Sequence, residues 1–123
     1  MPQTEIGSSE RLLEELKTWV LHETPTTDAA AVNGLIGKAE AELAAVGAAL
    51  ERIPGTDGYG DTLIARTPGE GAPVVVAGHL DTVWDIGTLA TSMPWKVDGA
   101  KAHGHGIYDM KAGSFFAFHS VRE

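Results

Sequence analysis

The sequence predicts an α/β fold. Two segments of helical periodicity come first, and the apolar period then falls from about 3.6 to about 2 near Leu50. The run Pro73-Val74-Val75-Val76-Ala77-Gly78 has the continuous β-branched character of a central strand covered on both faces. Helices ahead of a buried strand imply a layered domain, in which ligands gather beyond the carboxyl ends of the strands. His79, Leu80 and Asp81 stand at that end.

In chain order, Ser8 or Ser9 is suited to cap a helix whose Leu12, Leu13, Leu16, Trp19 and Val20 recur at three- and four-residue spacing, with Glu10 near its positive end. Glu23-Thr24-Pro25-Thr26-Thr27 breaks the pattern, because Pro25 cannot continue a helical ladder and restricts Thr24. Thr27 or Asp28 then caps an Ala-rich helix carrying Val32, Leu35, Ile36, Ala39, Leu43 and Val46, which Gly47 stops in a left-handed conformation. Gly34 and Gly37 weaken that helix by roughly 1 kcal/mol each. Leu50 to Ile53 and Thr62 to Arg66 read as neighbouring strands across the turn-rich segment from Pro54 to Gly60, and Pro68-Gly69-Glu70-Gly71 turns the chain into the valine strand. Ala112 to Glu123, with Phe115, Phe116, Phe118 and Val121, reads as an apolar helix without a stop signal. That is the expectation for the leading part of a longer polypeptide.

Composition narrows the chemistry. The 123 residues carry 9 Lys and Arg against 17 Asp and Glu, a net charge of −8, and no cysteine. Such a balance without a basic cluster predicts neither a nucleic-acid nor a membrane partner. Lacking thiols, the chain has His, Asp and Glu to carry chemistry. Met1 to Gly7 has no targeting character and no apolar run is long enough for a span, so the chain reads as cytoplasmic.

Two constellations stand out. In Gly78-His79-Leu80-Asp81-Thr82-Val83, extended backbone would turn His79 and Asp81 to the same side, where the Asp could hold one ring nitrogen while the other binds a metal. The same pattern also suits a strand-end His beside an Asp that caps the next turn. In the loop from Gly104 to Gly113, Asp109 stands just before a helix start, either as a helix N-terminal carboxylate or as a bridge between two cations. Gly104 and Gly106 match neither a P-loop nor a dinucleotide fingerprint.

Together these segments resemble the di-zinc metallopeptidase and deacylase family of glutamate carboxypeptidases, acetylornithine deacetylases, succinyl-diaminopimelate desuccinylases and aminoacylases. Gly78-His79-Leu80-Asp81-Thr82-Val83 is similar to its first metal motif and Gly106-Ile107-Tyr108-Asp109-Met110-Lys111-Ala112-Gly113 to its second. Supporting similarity runs through Glu23-Thr24-Pro25-Thr26, Gly87-Thr88-Leu89 and Pro94-Trp95, so the resemblance covers essentially the whole chain. It implies that residues 1–123 form the N-terminal portion of a three-layer zinc-exopeptidase catalytic domain with a mostly parallel central sheet, the lid and dimerisation domain being absent. It also implies zinc, two ions in the complete site with cobalt as a substitute, and a small peptide or N-acyl amino acid as substrate. Family members often pair as homodimers through the domain not present here. Carried over by position, His79 is a ligand of one zinc, Asp109 is the carboxylate shared by both, and Asp81 joins the catalytic set by orienting His79. The resemblance further implies a cis peptide between Asp109 and Met110, and structural support from Thr82, Lys111 and Gly113.

Departures from the family matter equally. His103 and His105 replace an aromatic residue and an Arg or Pro, and read as solvated loop histidines; His22 and His119 read as helix-end or packing residues. Trp84 and Trp95 read as lining the approach to the site or packing at its rim. The family's adjacent Glu pair, which supplies the general base and a ligand, has no counterpart, since the only carboxylate after Asp109 is Glu123. The expectation is a fragment of a carboxypeptidase-like amidohydrolase, inactive alone unless a partner chain completes the site. The alternative is a non-catalytic α/β binding or assembly module that docks a partner on an exposed Phe115, Phe116 and Phe118 face.

Overall fold

A computed structural model describes residues 8–122. The readings made above for Met1 to Gly7 and for Glu123 lie outside the described residues. Helix α1 (Ser9–Val20) begins at Ser8, whose hydroxyl accepts from the Arg11 N–H at 3.3 Å. Helix α2 (Ala29–Ala45) begins at Asp28, which accepts from the Ala31 N–H at 3.0 Å. These caps satisfy N–H groups that the first helical turn leaves without partners. Past α2 the chain turns through Gly47 at φ +82°, as the stop signal predicts. Gly34 has a reason to interrupt an Ala-rich helix: a Cβ there would meet the His22 ring at 3.0 Å. His22 Nε2 also lies 3.0 Å from the Ala31 carbonyl, so this histidine ties the end of α1 to α2.

Strands β1 (Ala49–Ile53) and β2 (Thr62–Arg66) form an antiparallel hairpin with Leu50 opposite Ala65 and Arg52 opposite Leu63. Asp61 closes its loop, accepting from the Gly55 N–H at 2.9 Å and from Arg52 Nε at 2.7 Å; these bonds hold its carboxyl below the ordinary value. A second antiparallel hairpin joins β3 (Lys96–Asp98) to β4 (Lys101–His103) around Gly99 at φ +58°. Helix α3 (Ala112–Arg122) ends the described chain.

The core is assembled from Leu16, Trp19 and Val20 of α1, Leu35, Ala39 and Leu43 of α2, and Phe115 and Phe118 of α3, with Leu50, Leu63 and Ala65 of the hairpin packed against it. Trp19 is its centre, meeting Phe115 and Phe118 edge-on at centroid distances of 5.3 and 5.0 Å, a favoured aromatic arrangement. His119 stacks on Phe115 at 6.0 Å, a packing role as expected.

Three expectations are corrected. The fold is mixed helix and strand, but its two sheets among the described residues are antiparallel hairpins, and the expected parallel central sheet is not formed. Val74, Val75 and Val76 are 90, 82 and 65% exposed; the β-branched run favours extended backbone, yet among the described residues no strand pairs with it to satisfy its ladder. Among the described residues the one parallel pairing is a single bridge between Pro25 and Thr82. Second, the phenylalanines do not form an exposed face: Phe115 and Phe118 close on Trp19, and only Phe116 is open to solvent. Third, His105 is fully buried rather than solvated, because its loop is packed in on both sides: a Cβ on Gly104 would meet Val20 Cγ1 at 2.9 Å and one on Gly106 would meet Thr82 Cγ2 at 2.5 Å. His103 is exposed as expected.

Candidate functional site

The segment from His22 to Thr26 organises the site. Thr24 is fully buried, and its hydroxyl donates to the Leu80 carbonyl at 2.6 Å while its carbonyl accepts from the Thr82 N–H at 2.8 Å. The Thr26 N–H returns a bond to the Thr82 carbonyl at 2.9 Å, and the Thr26 hydroxyl donates to the Asp81 carboxylate. Residues 80–82 are thus held as an extended stretch against 24–26. At the other side, the Ser114 hydroxyl in the first turn of α3 donates to the His79 carbonyl at 2.8 Å. A Cβ on Gly78 would meet that hydroxyl oxygen at 2.7 Å, so glycine is what permits the approach.

This frame brings the three residues singled out in the sequence together. His79 Nε2 lies 3.1 Å from Asp109 Oδ1, and His79 Nδ1 lies 3.0 Å from the Asp81 carbonyl and 3.3 Å from Asp81 Oδ1. Asp109 leaves helical geometry at φ −128° and ψ 92°, so it is not a helix N-terminal residue of the ordinary kind. The Asp109–Met110 peptide is cis, at the bond the resemblance implies. Both side chains are open to solvent, with His79 45% and Asp109 75% exposed.

The donor set decides what the pair can hold. A neutral imidazole has one N–H and one lone pair. With the N–H on Nδ1 and donated to Asp81, the Nε2 lone pair faces the Asp109 carboxylate, two acceptors that a cation between them would reconcile. Imidazole nitrogen with carboxylate oxygen suits zinc or cobalt, so these residues fit the implied metal as part of a shell. They are not a closed shell: among the described residues no group of three or more His, Asp or Glu side chains is arranged to hold a metal.

Around the buried Lys111 gathers a polar cluster that sequence reasoning did not identify. Lys111 is fully buried, and its ammonium donates to the carbonyls of Trp19 at 3.0 Å and His22 at 2.6 Å. Burial pulls its pKa down from 10.5 to about 8, opposed by the charge of Glu23. Burial alone would raise Glu23, but the N–H groups of Gly87 at 2.7 Å and Leu89 at 3.0 Å, with the nearby positive charge, hold its carboxyl below the ordinary value. His105 is driven toward its neutral form, by burial first and by Lys111 as well, and neither ring nitrogen has a hydrogen-bond partner among the described residues. The signal for Lys111 and Glu23 was their position inside the motifs; the burial of Lys111 had none. Trp95 packs against the core, while Trp84 is partly exposed beside Thr82.

No family model matches this chain. Over 113 residues it is 32% identical to carboxypeptidase G2 of Pseudomonas sp. (strain RS-16), a match that covers 90% of this chain and 27% of that protein. The chain therefore spans about a quarter of the length of the curated relative it matches, and the relationship is a distant one. No helix among the described residues is long and apolar enough to cross a membrane.

Proposed function

We propose that residues 1–123 are the N-terminal portion of the catalytic domain of a zinc-dependent, carboxypeptidase-like hydrolase that cleaves amide bonds of small peptides or N-acyl amino acids, and that this portion is inactive alone. The observation that carries the reading is the meeting of His79 Nε2 and Asp109 Oδ1 at 3.1 Å from positions 30 residues apart. The similarity to a carboxypeptidase supports the hydrolase class.

In this reading His79 and Asp109 would hold the metal. When bound, zinc or cobalt supplies Lewis acidity toward an amide carbonyl and acidifies water. The chain's own residues do the rest of what it can do. Asp81 keeps the Nδ1–H of His79 engaged, which leaves Nε2 to act as a donor atom, and Thr26 steadies Asp81 from the other side. A cleft of about 350 Å³ adjoins them, lined also by Tyr59, Gly60 and Asp61, and gives a small substrate room beside His79. Among the described residues, His79 meets carboxylates only at Asp81 and Asp109, both committed to holding it or the metal, so the general base has to come from elsewhere.

A chimaera tests this: the chain replaces the matching portion of carboxypeptidase G2, and hydrolysis of a panel of N-acyl amino acids is measured with zinc present. The chimaera is expected to hydrolyse one or more of them, and His79→Ala and Asp109→Asn to remove that activity. A folded chimaera whose activity survives both substitutions overturns the reading.

A further inference from the structure

We infer that Lys111 is a positioning residue, which sets Asp109 opposite His79 by fastening the Asp109 loop to the end of α1. This rests on the reading of His79 and Asp109 as the metal-holding pair.

Three observations carry it. Asp109 is 75% exposed, and among the described residues its carboxylate meets only the His79 ring, itself 45% exposed, so its place has to be set through its own loop. Two residues on, Lys111 is fully buried, a state in which an amine is found only when its donors are engaged. Its donors reach two backbone carbonyls, of Trp19 and His22, rather than a carboxylate. A bond to backbone reports the position of the main chain, and here that main chain leads directly into Thr24 and Thr26, which grip residues 80–82 and Asp81. The two halves of the pair are therefore referred to one segment: the His79 half through Thr24 and Thr26, the Asp109 half through Lys111.

The loop is closed locally as well. The Lys111 N–H donates to the Gly106 carbonyl at 2.9 Å, making a wide turn across Asp109, and Gly106 sits at φ +71° against the Thr82 methyl group. That turn gives the loop its shape, and the ammonium fixes where the turn sits. A surface lysine two residues beyond Asp109 would leave the turn intact and free to swing.

The test uses the full chain without metal and reads the ¹⁵N shifts of the His79 ring, which respond to what faces each nitrogen. Asp109→Asn gives the signature of the broken pair. Lys111→Met is expected to give the same displacement of Nε2, with the helical circular dichroism retained. Because the chain has no cysteine, Lys111→Cys can be alkylated with bromoethylamine in denaturant and refolded; restoring the amine should return the wild-type shifts, which loss of core packing alone would not predict. If Lys111→Met does not fold, Lys111→Arg decides, since its larger head has to displace the turn. Wild-type His79 shifts in a folded Lys111→Met or Lys111→Arg chain overturn the proposal. A parallel cobalt(II) titration separates it from the metal reading. Lys111→Met should weaken binding about 10- to 100-fold, as expected for loss of a residue supporting a ligand. Cobalt binding unchanged by His79→Ala and Asp109→Asn would end the metal reading, while the ring shifts would still report on Lys111.

Discussion

Raising the pH above neutrality should stabilise the folded chain through Lys111, and substituting that residue with Met should abolish the gain. In the folded chain the amine titrates at about 8, whereas the unfolded chain keeps the ordinary value of 10.5. Between those values the unfolded chain holds a proton that the folded chain has released, so each rise in pH favours folding. The contribution is complete above 10.5 and is lost as pH falls through about 8. The gap between the two values, at about 1.36 kcal/mol per pH unit, amounts to roughly 3 kcal/mol. At neutral pH, Lys111→Met relieves a desolvation cost of that order but strands the carbonyls of Trp19 and His22, at about 1 to 3 kcal/mol each. Those effects oppose each other, so the slope is diagnostic rather than the stability at any one pH. Urea unfolding followed by tryptophan fluorescence, run on both chains between about pH 7 and pH 11, yields the difference directly, because the other titrating groups are common to both. A difference that stays flat to within about 0.5 kcal/mol across that range would refute the reasoning.

Other substitutions probe the frame. Trp19→Ala should cost about 3 to 5 kcal/mol in urea unfolding, since it empties the contact between α1 and both core phenylalanines of α3. Gly106→Ala puts a methyl group 2.5 Å from Thr82 Cγ2 at a positive φ, and should cost at least about 1 kcal/mol and shift the Thr82 methyl resonance. His105 is held below its ordinary value of 6.5 by burial, so its share of stability is present above 6.5 and is lost as pH falls below it. His105→Leu should therefore flatten acid unfolding relative to wild type, and identical acid profiles would count against a buried neutral ring.

How much of this was legible in the sequence depended on whether the governing contacts were local. Ser8, Asp28 and Gly47 signal their roles within one helical turn, and α1 and α2 fall where their periodicity puts them. The β1–β2 hairpin was legible because a turn-rich segment separates two short runs. Val74 to Val76 misled because β-branching states a preference for extended backbone and says nothing about a partner for it. The β3–β4 hairpin offered only Gly99-Ala100 between the three-residue runs Lys96-Val97-Asp98 and Lys101-Ala102-His103, too short to show a period. His105 misled for another reason: flanking glycines mark a loop, while its burial comes with contacts made far along the chain, Gly104 against Val20 and Gly106 against Thr82. For the site, spacing alone left His79 and Asp109 open between structural and chemical roles. Their meeting was an expectation of the family resemblance, and the bonds of Thr24, Thr26 and Ser114 supply its physical cause.

The bare valine ribbon also governs how this polypeptide behaves at high concentration. An exposed, uncharged stretch that pairs with no strand among the described residues is a template on which another extended chain can add itself. What opposes that growth is the surplus of eight negative charges, which keeps copies apart by mutual repulsion. Ions shorten the reach of such repulsion to about 10 Å at 0.1 M and about 3 Å at 1 M. Turbidity should therefore rise with added sodium chloride, and a lysine in place of Val75 should suppress it.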